Sequence, residues 1–328
     1  QAKALLTAND GGGTARLDIT ANSPTPLASL LAEGPLEGIG YKACASVDKL
    51  NLRHFMPRDS LGLVTAAVQL SGRGTQLATA NVQAEASLHS LQYGHWQLDS
   101  VQATATINGG HALVDINSCN TLVSGTAHID AHLPISNEKG QTLAASIETT
   151  LDAINLHALG ISDAPTTIGF TCDANLESDL RLTHHLSALT DNIYIIDTLA
   201  THHPEKLGML LKTTTDTTVV RVQSGDLIVK LDAQSNYEQL FSRLSALADT
   251  LEAQRKSRTI DHMALKRQLP TMKLYVTSKQ NNPLASILLA AADVSFKDFR
   301  ADINTSPQSG LNGDIYLLSL NVADTPID

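Results

Sequence analysis

The chain has 328 residues, enough for one large domain or two ordinary ones, and 42% of them are hydrophobic. Only 17% are charged and 4% aromatic, so small aliphatic residues supply most of the hydrophobic content, a balance that excludes a disordered chain. The net charge of −10, with few aromatic rings and no basic run, argues against nucleic-acid binding.

The cysteines and the ends of the chain add two expectations. Cys44, Cys119 and Cys172 are far apart and odd in number, so they predict neither a disulfide framework nor a paired-cysteine metal motif. No apolar run approaches the roughly 18 residues of a membrane-spanning helix. The sequence begins at Gln1 without Met and ends abruptly at Asp328, so we expect a segment of a longer protein.

Alternation of apolar and polar residues dominates the chain up to about residue 235. The clearest run covers residues 77–89, and further runs begin near Val101, Ala127, Leu143 and Phe170, the last continuing to Leu182. Such alternation predicts strands with one apolar side. Short turns separate the runs, so consecutive strands are expected to pair as an antiparallel meander.

Helical spacing is confined to a few segments. A short helix is predicted over residues 26–33, before a Gly-Pro pair. A longer amphipathic helix begins near Asn236, a second near Thr259, and a third at Asn282 with Pro283 in its first turn. The sequence therefore predicts a mainly β fold, with an elongated strand-repeat region over 1–235 and a helical insertion near 236–292 with continuing strands over 236–328, in one continuous architecture.

No catalytic or phosphate-binding motif occurs, so no cofactor and no enzyme activity are predicted. His128, Asp130 and His132 would share one face of a strand, but the two histidines would lie about 13 Å apart. One histidine with Asp130 would need further ligands from a neighbouring strand, so we predict no metal site. The sequence predicts that the carboxylates of Asp173, Glu177 and Asp179 lie on a solvated strand face.

The alternating runs share an inner side of small aliphatic residues without convergent polar groups, which suits alkyl chains. The predicted lining of this apolar groove is Ala78, Ala80, Val82, Ala84, Leu88, Ala103, Ala105, Ile107, Ala127, Ile129, Leu133, Ala145, Ile147, Cys172, Leu176, Leu180, Leu227, Val229 and Leu231. The amphipathic helix is predicted to pack on the sheet or cap the groove, rather than lie on a membrane, through Leu240, Leu244, Leu247 and Leu251.

The sequence also resembles TamB and the wider AsmA-like group of bacterial envelope proteins over nearly its whole length. In the first part, the resemblance rests on the turn unit Leu88 with Leu91-Gln92-Tyr93-Gly94, and on Leu98-Asp99-Ser100-Val101 and Leu122-Val123-Ser124-Gly125-Thr126-Ala127. A later block resembles the Bacteroidetes-type members in Leu269-Pro270-Thr271-Met272, Asn282-Pro283-Leu284, Asn304-Thr305-Ser306-Pro307 and Gly310-Leu311-Asn312-Gly313.

The resemblance implies a β-taco: a long, curled antiparallel sheet whose hydrophobic inner face spans the periplasm of a Gram-negative bacterium. It implies an inner-membrane anchor and an outer-membrane barrel partner of the TamA type, both outside this sequence, and no catalytic residues. The implied role is movement of phospholipids between the membranes or assembly of outer-membrane proteins. Two alternatives remain open: an interaction scaffold with a closed core, and a β-helical enzyme acting on polysaccharides.

Overall fold

The computed structural model describes residues 2–9, 12–22, 39–54, 61–135 and 142–322, and the backbone of 325–327. Most of these residues lie in antiparallel strands that form open sheets, which confirms the predicted mainly β class. The helix predicted over 26–33 lies outside the described residues. The chain divides into two compact units, unit 1 over Gln1–Leu159 and unit 2 over Gly160–Asp328.

Unit 1 is an antiparallel sheet in which strands pair with their neighbours in sequence. The exception is β5, which pairs both with the short β6 and with β7. Its described strands are β1 (Ala2–Asn9), β2 (Thr14–Asn22), β3 (Gly40–Asn51), β4 (Leu61–Arg73), β5 (Asn81–Tyr93), β6 (Trp96–Leu98), β7 (Val101–Asn108), β8 (His111–Cys119), β9 (Val123–His132) and β10 (Leu143–Asn155). A single 3-10 turn, Leu52–His54, interrupts the described strands.

The turn between β7 and β8 shows how local sequence sets the register. Asn108 pairs directly with His111, which leaves Gly109 and Gly110 as a two-residue loop. Both glycines have positive φ, at 56° and 84°. Two positive φ values define the turn whose twist matches that of a right-twisted hairpin, and glycine adopts them without strain.

Unit 2 continues the meander pattern and adds the helices. Its described strands are β11 (Thr167–Ser178), β12 (His184–Ile196), β13 (Thr201–His202), β14 (Leu207–Thr213), β15 (Thr218–Ser224), β16 (Leu227–Ala233), β17 (Met272–Ser278), β18 (Val294–Ser295), β19 (Asp298–Ser306), β20 (Gly310–Leu318), β21 (Leu320–Val322) and β22 (Thr325–Ile327). Strands β18, β21 and β22 form a separate small sheet.

Three α-helices are described in unit 2: α1 (Tyr237–Ser257), α2 (His262–Gln268) and α3 (Pro283–Ala292). The pair α1 and α2 is inserted between β16 and β17, and α3 follows β17. Each helix begins at a polar residue whose side chain accepts a hydrogen bond from the first turn, namely Asn236, Asp261 and Asn282. The predicted helical insertion is confirmed.

Three predicted groove residues lie in turns rather than on strands. Strand β5 begins at Asn81, so Ala78 and Ala80 belong to the turn before it, where the Ala80 N–H bonds to the Gln76 carbonyl. Strand β11 ends at Ser178, and Leu180 lies in the following turn with a φ of 58°. Periodicity alone does not reveal these ends, because turn residues can continue an alternating pattern by chance.

The turn that contains Leu180 is fixed by one carboxylate. The backbone N–H groups of Arg181 and Thr183 each donate to Asp179 Oδ1 at 2.9 Å. These hydrogen bonds lower the pKa of Asp179, although its partial desolvation acts in the opposite direction. Asp179 therefore closes a turn, and the solvated strand face predicted for it ends at Ser178.

Candidate functional site

The registers of unit 1 align apolar residues into continuous rows on one side of its sheet. A central row crosses nine strands, from β1 to β5 and from β7 to β10: Ala4, Ile19, Ala43, Leu70, Ala84, Ala105, Val114, Ile129 and Ile147. A parallel row on one side of it contains Ala21, Tyr41, Gly72, Val82, Ile107, Ala112, Ala131 and Ala145. The row on its other side contains Leu6, Leu17, Ala45, Val68, Ala86, Ala103, Ile116 and Ala127. We call these three rows the apolar face of unit 1.

The opposite side of the same strands is mostly polar. Its central row contains Leu5, Asp18, Cys44, Gln69, Glu85, Thr104, Asp115, His128 and Glu148. Because successive side chains on a strand point to opposite sides, this row is offset by one residue from the central apolar row. We call this side the polar face.

Most of the predicted groove residues of unit 1 lie together on the apolar side of the sheet. The registers place there Val82, Ala84, Leu88, Ala103, Ala105, Ile107, Ala127, Ile129, Ala145 and Ile147. Leu133 follows β9 directly, and its N–H donates to the Gly110 carbonyl at 2.8 Å. The contribution of β1 to β4 to this face was not predicted, because their alternation is less regular than that of β5.

Most of the apolar face of unit 1 remains accessible, although Ala112 and Ala131 in one of its rows are buried. Val68, in one of its rows, is 42% exposed, and the central row from Ala84 to Ile147 is half-buried. A second layer of structure would have made such positions nearly inaccessible. The part of unit 1 that the structure describes contains no α-helix to lie over this face.

Unit 2 has a comparable apolar face of its own. One row across it contains Leu176, Leu186, Leu211, Val220, Leu231, Leu274 and Ile303. The next row contains Ala174, Ala188, Met209, Val222, Val229, Val276 and Ala301. Two further predicted groove residues lie on this side, Cys172 in the middle of β11 and Leu227 at the start of β16. The thiols of Cys44, Cys119 and Cys172 are free.

Helix α3 lies at one end of the apolar face of unit 2. It leaves β17 through the buried Asn282, and its last carbonyls, at Ala290 and Ala291, accept hydrogen bonds from Thr166 and Ser162 just before β11. The helix thus runs from β17 to the start of β11 and contacts β12. The strand positions at this end are almost inaccessible, and they include Ile195, Ser224, Leu227 and Ser278. This helix belongs to the 236–292 block that was expected to cap the groove, but the cap residues named from the sequence all lie on α1.

Helix α1 touches the opposite end of that face only through its first turns. Leu240 is 4% exposed, and the ring of Tyr237 meets His184 at the start of β12, with centroids 5.3 Å apart. Leu244 and Leu247 are half-buried, whereas Leu251 is exposed. Farther along, α1 pairs with α2 through a hydrogen bond of 2.8 Å between Thr250 and Gln268. The proposed capping role therefore rests on Leu240 more than on Leu251.

The predicted histidine string divides between two partners on the polar face of unit 1. His128 Nδ1 lies 2.7 Å from Asp115 Oδ1, and this hydrogen bond raises the pKa of His128. Asp130 Oδ1 instead lies 2.7 Å from Nε2 of His111, on the neighbouring strand β8. The spacing of residues along the sequence cannot reveal the pair of His111 and Asp130, because that pair depends on the register between β8 and β9.

These observations define the class of the protein: an antiparallel β protein of two units, each with an open sheet that has one apolar side. Comparison with protein-family models, with curated proteins and with solved structures finds no match. Within the described residues, no helix combines the length and the apolar character needed to cross a membrane.

Proposed function

We propose that the apolar faces bind the acyl chains of phospholipids, and that the chain is a periplasmic segment of a TamB-like lipid conduit. The observation that carries the proposal is the accessible row from Ala4 to Ile147, which stays apolar across nine strands. At about 4.8 Å between strands, this row extends for about 38 Å. Its length and smoothness suit an extended hydrocarbon chain.

The chemistry of the face favours alkyl chains over polar ligands. Its three rows contain Ala, Val, Ile and Leu with one Tyr and one Gly, and they offer no carboxylate, amine or amide side chain. Each methylene group that leaves water for such a surface contributes about 0.8 kcal/mol, before the cost of ordering the chain. A lipid with several methylenes in contact would bind without a specific hydrogen bond, while its headgroup stays in water.

Two further expectations depend on the same proposal. The location is the periplasm of a Gram-negative bacterium, with an inner-membrane anchor outside this sequence. The protein partner is a TamA-type outer-membrane barrel, also outside this sequence, and outer-membrane protein assembly is the second process that the conduit would serve. Both rest on the resemblance, whereas lipid binding also rests on the geometry of the two apolar faces.

Site-specific photo-crosslinking in Gram-negative cells tests the proposal. A photoreactive residue replaces Ile129 on the apolar face or Thr104 on the polar face, and lipid adducts are identified by mass spectrometry. We expect phospholipid adducts at Ile129, and far fewer at Thr104 because its side chain faces water. Position Leu176 provides the equivalent test in unit 2.

The outcomes separate this proposal from its alternatives. Adducts in equal yield at both positions, or no lipid at Ile129 and Leu176, would contradict acyl-chain binding. An interaction scaffold predicts protein adducts without lipid. The central row is only half-buried, which favours the lipid-binding alternative over a closed core, because a dry core would bury these side chains completely.

A further inference from the structure

Three potential metal ligands converge at one end of strands β8 and β9. His111 and His132 are directly paired across the two strands, and Asp130 lies two residues before His132 on the same side. One nitrogen of each imidazole and one oxygen of the carboxylate lie within 4.8 Å of one another. The two imidazole rings stack with centroids 4.7 Å apart and an angle of 25° between their planes.

The individual distances show how close this group is to a coordination site. Asp130 Oδ1 lies 2.7 Å from His111 Nε2 and 4.0 Å from His132 Nδ1. Ligands of a tetrahedral zinc ion, bonded at about 2.0–2.1 Å, lie about 3.3 Å from one another. The observed separations lie on both sides of that value. The side chains of His111 and His132 are 41% and 73% exposed, so their rings are free to make small rotations.

We propose that His111, Asp130 and His132 form a binding site for a zinc-like divalent cation on the polar face of unit 1. Two imidazoles and one carboxylate are a donor set that suits zinc. The site is accessible to solvent, so water would complete a fourth position. Neither apolar face contributes to the site, so it does not depend on the proposed lipid binding.

The bound ion would join β8 and β9 at the open end of their hairpin, opposite the turn that connects them. His111 directly follows the Gly109-Gly110 turn, and the Leu133 N–H donates to the Gly110 carbonyl one residue beyond β9. Three protein ligands held across this junction would oppose fraying of β9 away from β8. The site therefore stabilises the folded chain when the ion is present, by the usual linkage between binding and folding.

Titration of the metal-free chain with zinc chloride, followed by calorimetry, tests the proposal. We expect one ion per chain, and an affinity at least tenfold lower in each of His111→Ala, Asp130→Asn and His132→Ala. His128→Ala is the matched control, because His128 lies on the same strand and the same face, with Asp115 as its own partner. The control is expected to bind zinc as the unaltered chain does.

Two further measurements make the result independent of folding and of the thiols. In the unaltered chain, paramagnetic Co²⁺ is expected to broaden the nuclear magnetic resonance signals of the His111 and His132 rings before those of the other histidines. A variant with all three cysteines replaced by Ser should retain the affinity. Absence of one-to-one binding, equal broadening of all histidines, or unchanged zinc affinity in His111→Ala would overturn the proposal.

Discussion

Single side chains decide the character of each sheet surface. At Ile129 the strand turns an aliphatic group to the apolar face, and its neighbour His128 turns an imidazole to the polar face. Because the period of a strand is two residues, this division is repeated along every strand that keeps its register. The row Ala84, Ala105, Val114 and Ile129 therefore stays apolar from β5 to β9.

A charge on the central row should interfere with lipid binding. Ile129→Asp places a carboxylate where an acyl chain would remove its water, so we expect the affinity for phospholipid to fall at least about tenfold. Binding to phospholipid vesicles or lipid recovered after mild purification measures the change. Thr126→Asp, on the polar face of the same strand, is the control. Similar losses in both variants would argue against the apolar face as the binding surface.

Asp197 provides a pH-dependent contribution to stability in unit 2. Partial burial raises the pKa of Asp197, but hydrogen bonds from the N–H groups of Ala200 and Leu199 and from the ring of His202 outweigh it. The net pKa lies below its usual value, so the folded state favours the charged carboxylate. This stabilisation is complete above the ordinary carboxyl pKa and is lost as the pH falls through the lowered folded value.

We therefore expect Asp197→Asn to lower the free energy of unfolding by about 1–2 kcal/mol at pH 7. The difference from the unaltered chain should shrink as the pH falls below the usual carboxyl range. Urea denaturation between pH 7 and pH 3 measures it. An unchanged pH profile in the variant would show that Asp197 does not favour folding through its charge.

At the scale of elements, α3 depends on a single buried amide. The Asn282 side chain accepts from the Ala285 N–H at 3.0 Å and donates to Asp226 Oδ1 at 2.6 Å and Ser278 Oγ at 3.0 Å. It therefore caps the helix and ties it to the β16 and β17 ends. The sequence predicted the start of this helix from Asn282 and Pro283, but the contact with Asp226 depends on the folded chain.

Asn282→Ala should release this anchor. Loss of the cap costs about 1 kcal/mol, and leaving buried polar partners unsatisfied adds about 1–3 kcal/mol. Urea denaturation measures the loss, and faster hydrogen exchange at the amides of α3 would localise it. Asn281→Ala is the control, because that neighbouring side chain is exposed and bonds only to Glu205 in the described structure. Equal losses in both variants would contradict the proposed anchor.

The sequence predicts the strands and helices better than it predicts their contacts. Alternation located β5, β7, β9, β10 and β11, and helical spacing located α1, because both patterns are local consequences of burial on one side. These local patterns could not predict that α3 covers one end of the apolar face of unit 2. The apolar α3 shows no clear periodicity, and its position depends on Thr166, far earlier in the chain.

The histidine cluster illustrates the same limit at a functional site. His128, Asp130 and His132 form a visible string, yet the structure joins only the last two with His111. That grouping is set by the pairing of His111 with His132, which follows from the turn over residues 120–123 that pairs Cys119 with Ser124. The signal in the sequence is therefore the turn that sets the register of β8 and β9, and not the spacing within the string.

At the scale of the whole molecule, open sheets leave exposed edges. Among the described strands, β20 pairs only with β19, and it carries several exposed apolar side chains, including Ile315 at 68% exposure. An edge strand of this kind offers unpaired backbone groups to another chain. Such an edge favours association between copies when the chain is studied alone.

We expect concentration-dependent self-association, reduced by Ile315→Lys because a charge at an edge disfavours strand addition. Sedimentation velocity over a range of concentrations measures it. Leu284→Lys is the control, since Leu284 is an exposed apolar residue on α3 rather than on the edge strand. A chain that stays monomeric at all concentrations, or equal effects of the two variants, would contradict pairing through β20.

The nearest-neighbour pairing in unit 1 also has a consequence for how the chain acquires its structure. Each described strand from β2 to β10 finds a partner a short distance earlier in the chain, so contact order is low and strands can be added one at a time. A one-residue slip in any hairpin would transfer all later apolar side chains to the other side. Tight turns such as Gly109-Gly110 fix the register of the next strand. They therefore determine on which side of the sheet the apolar side chains of all later strands lie.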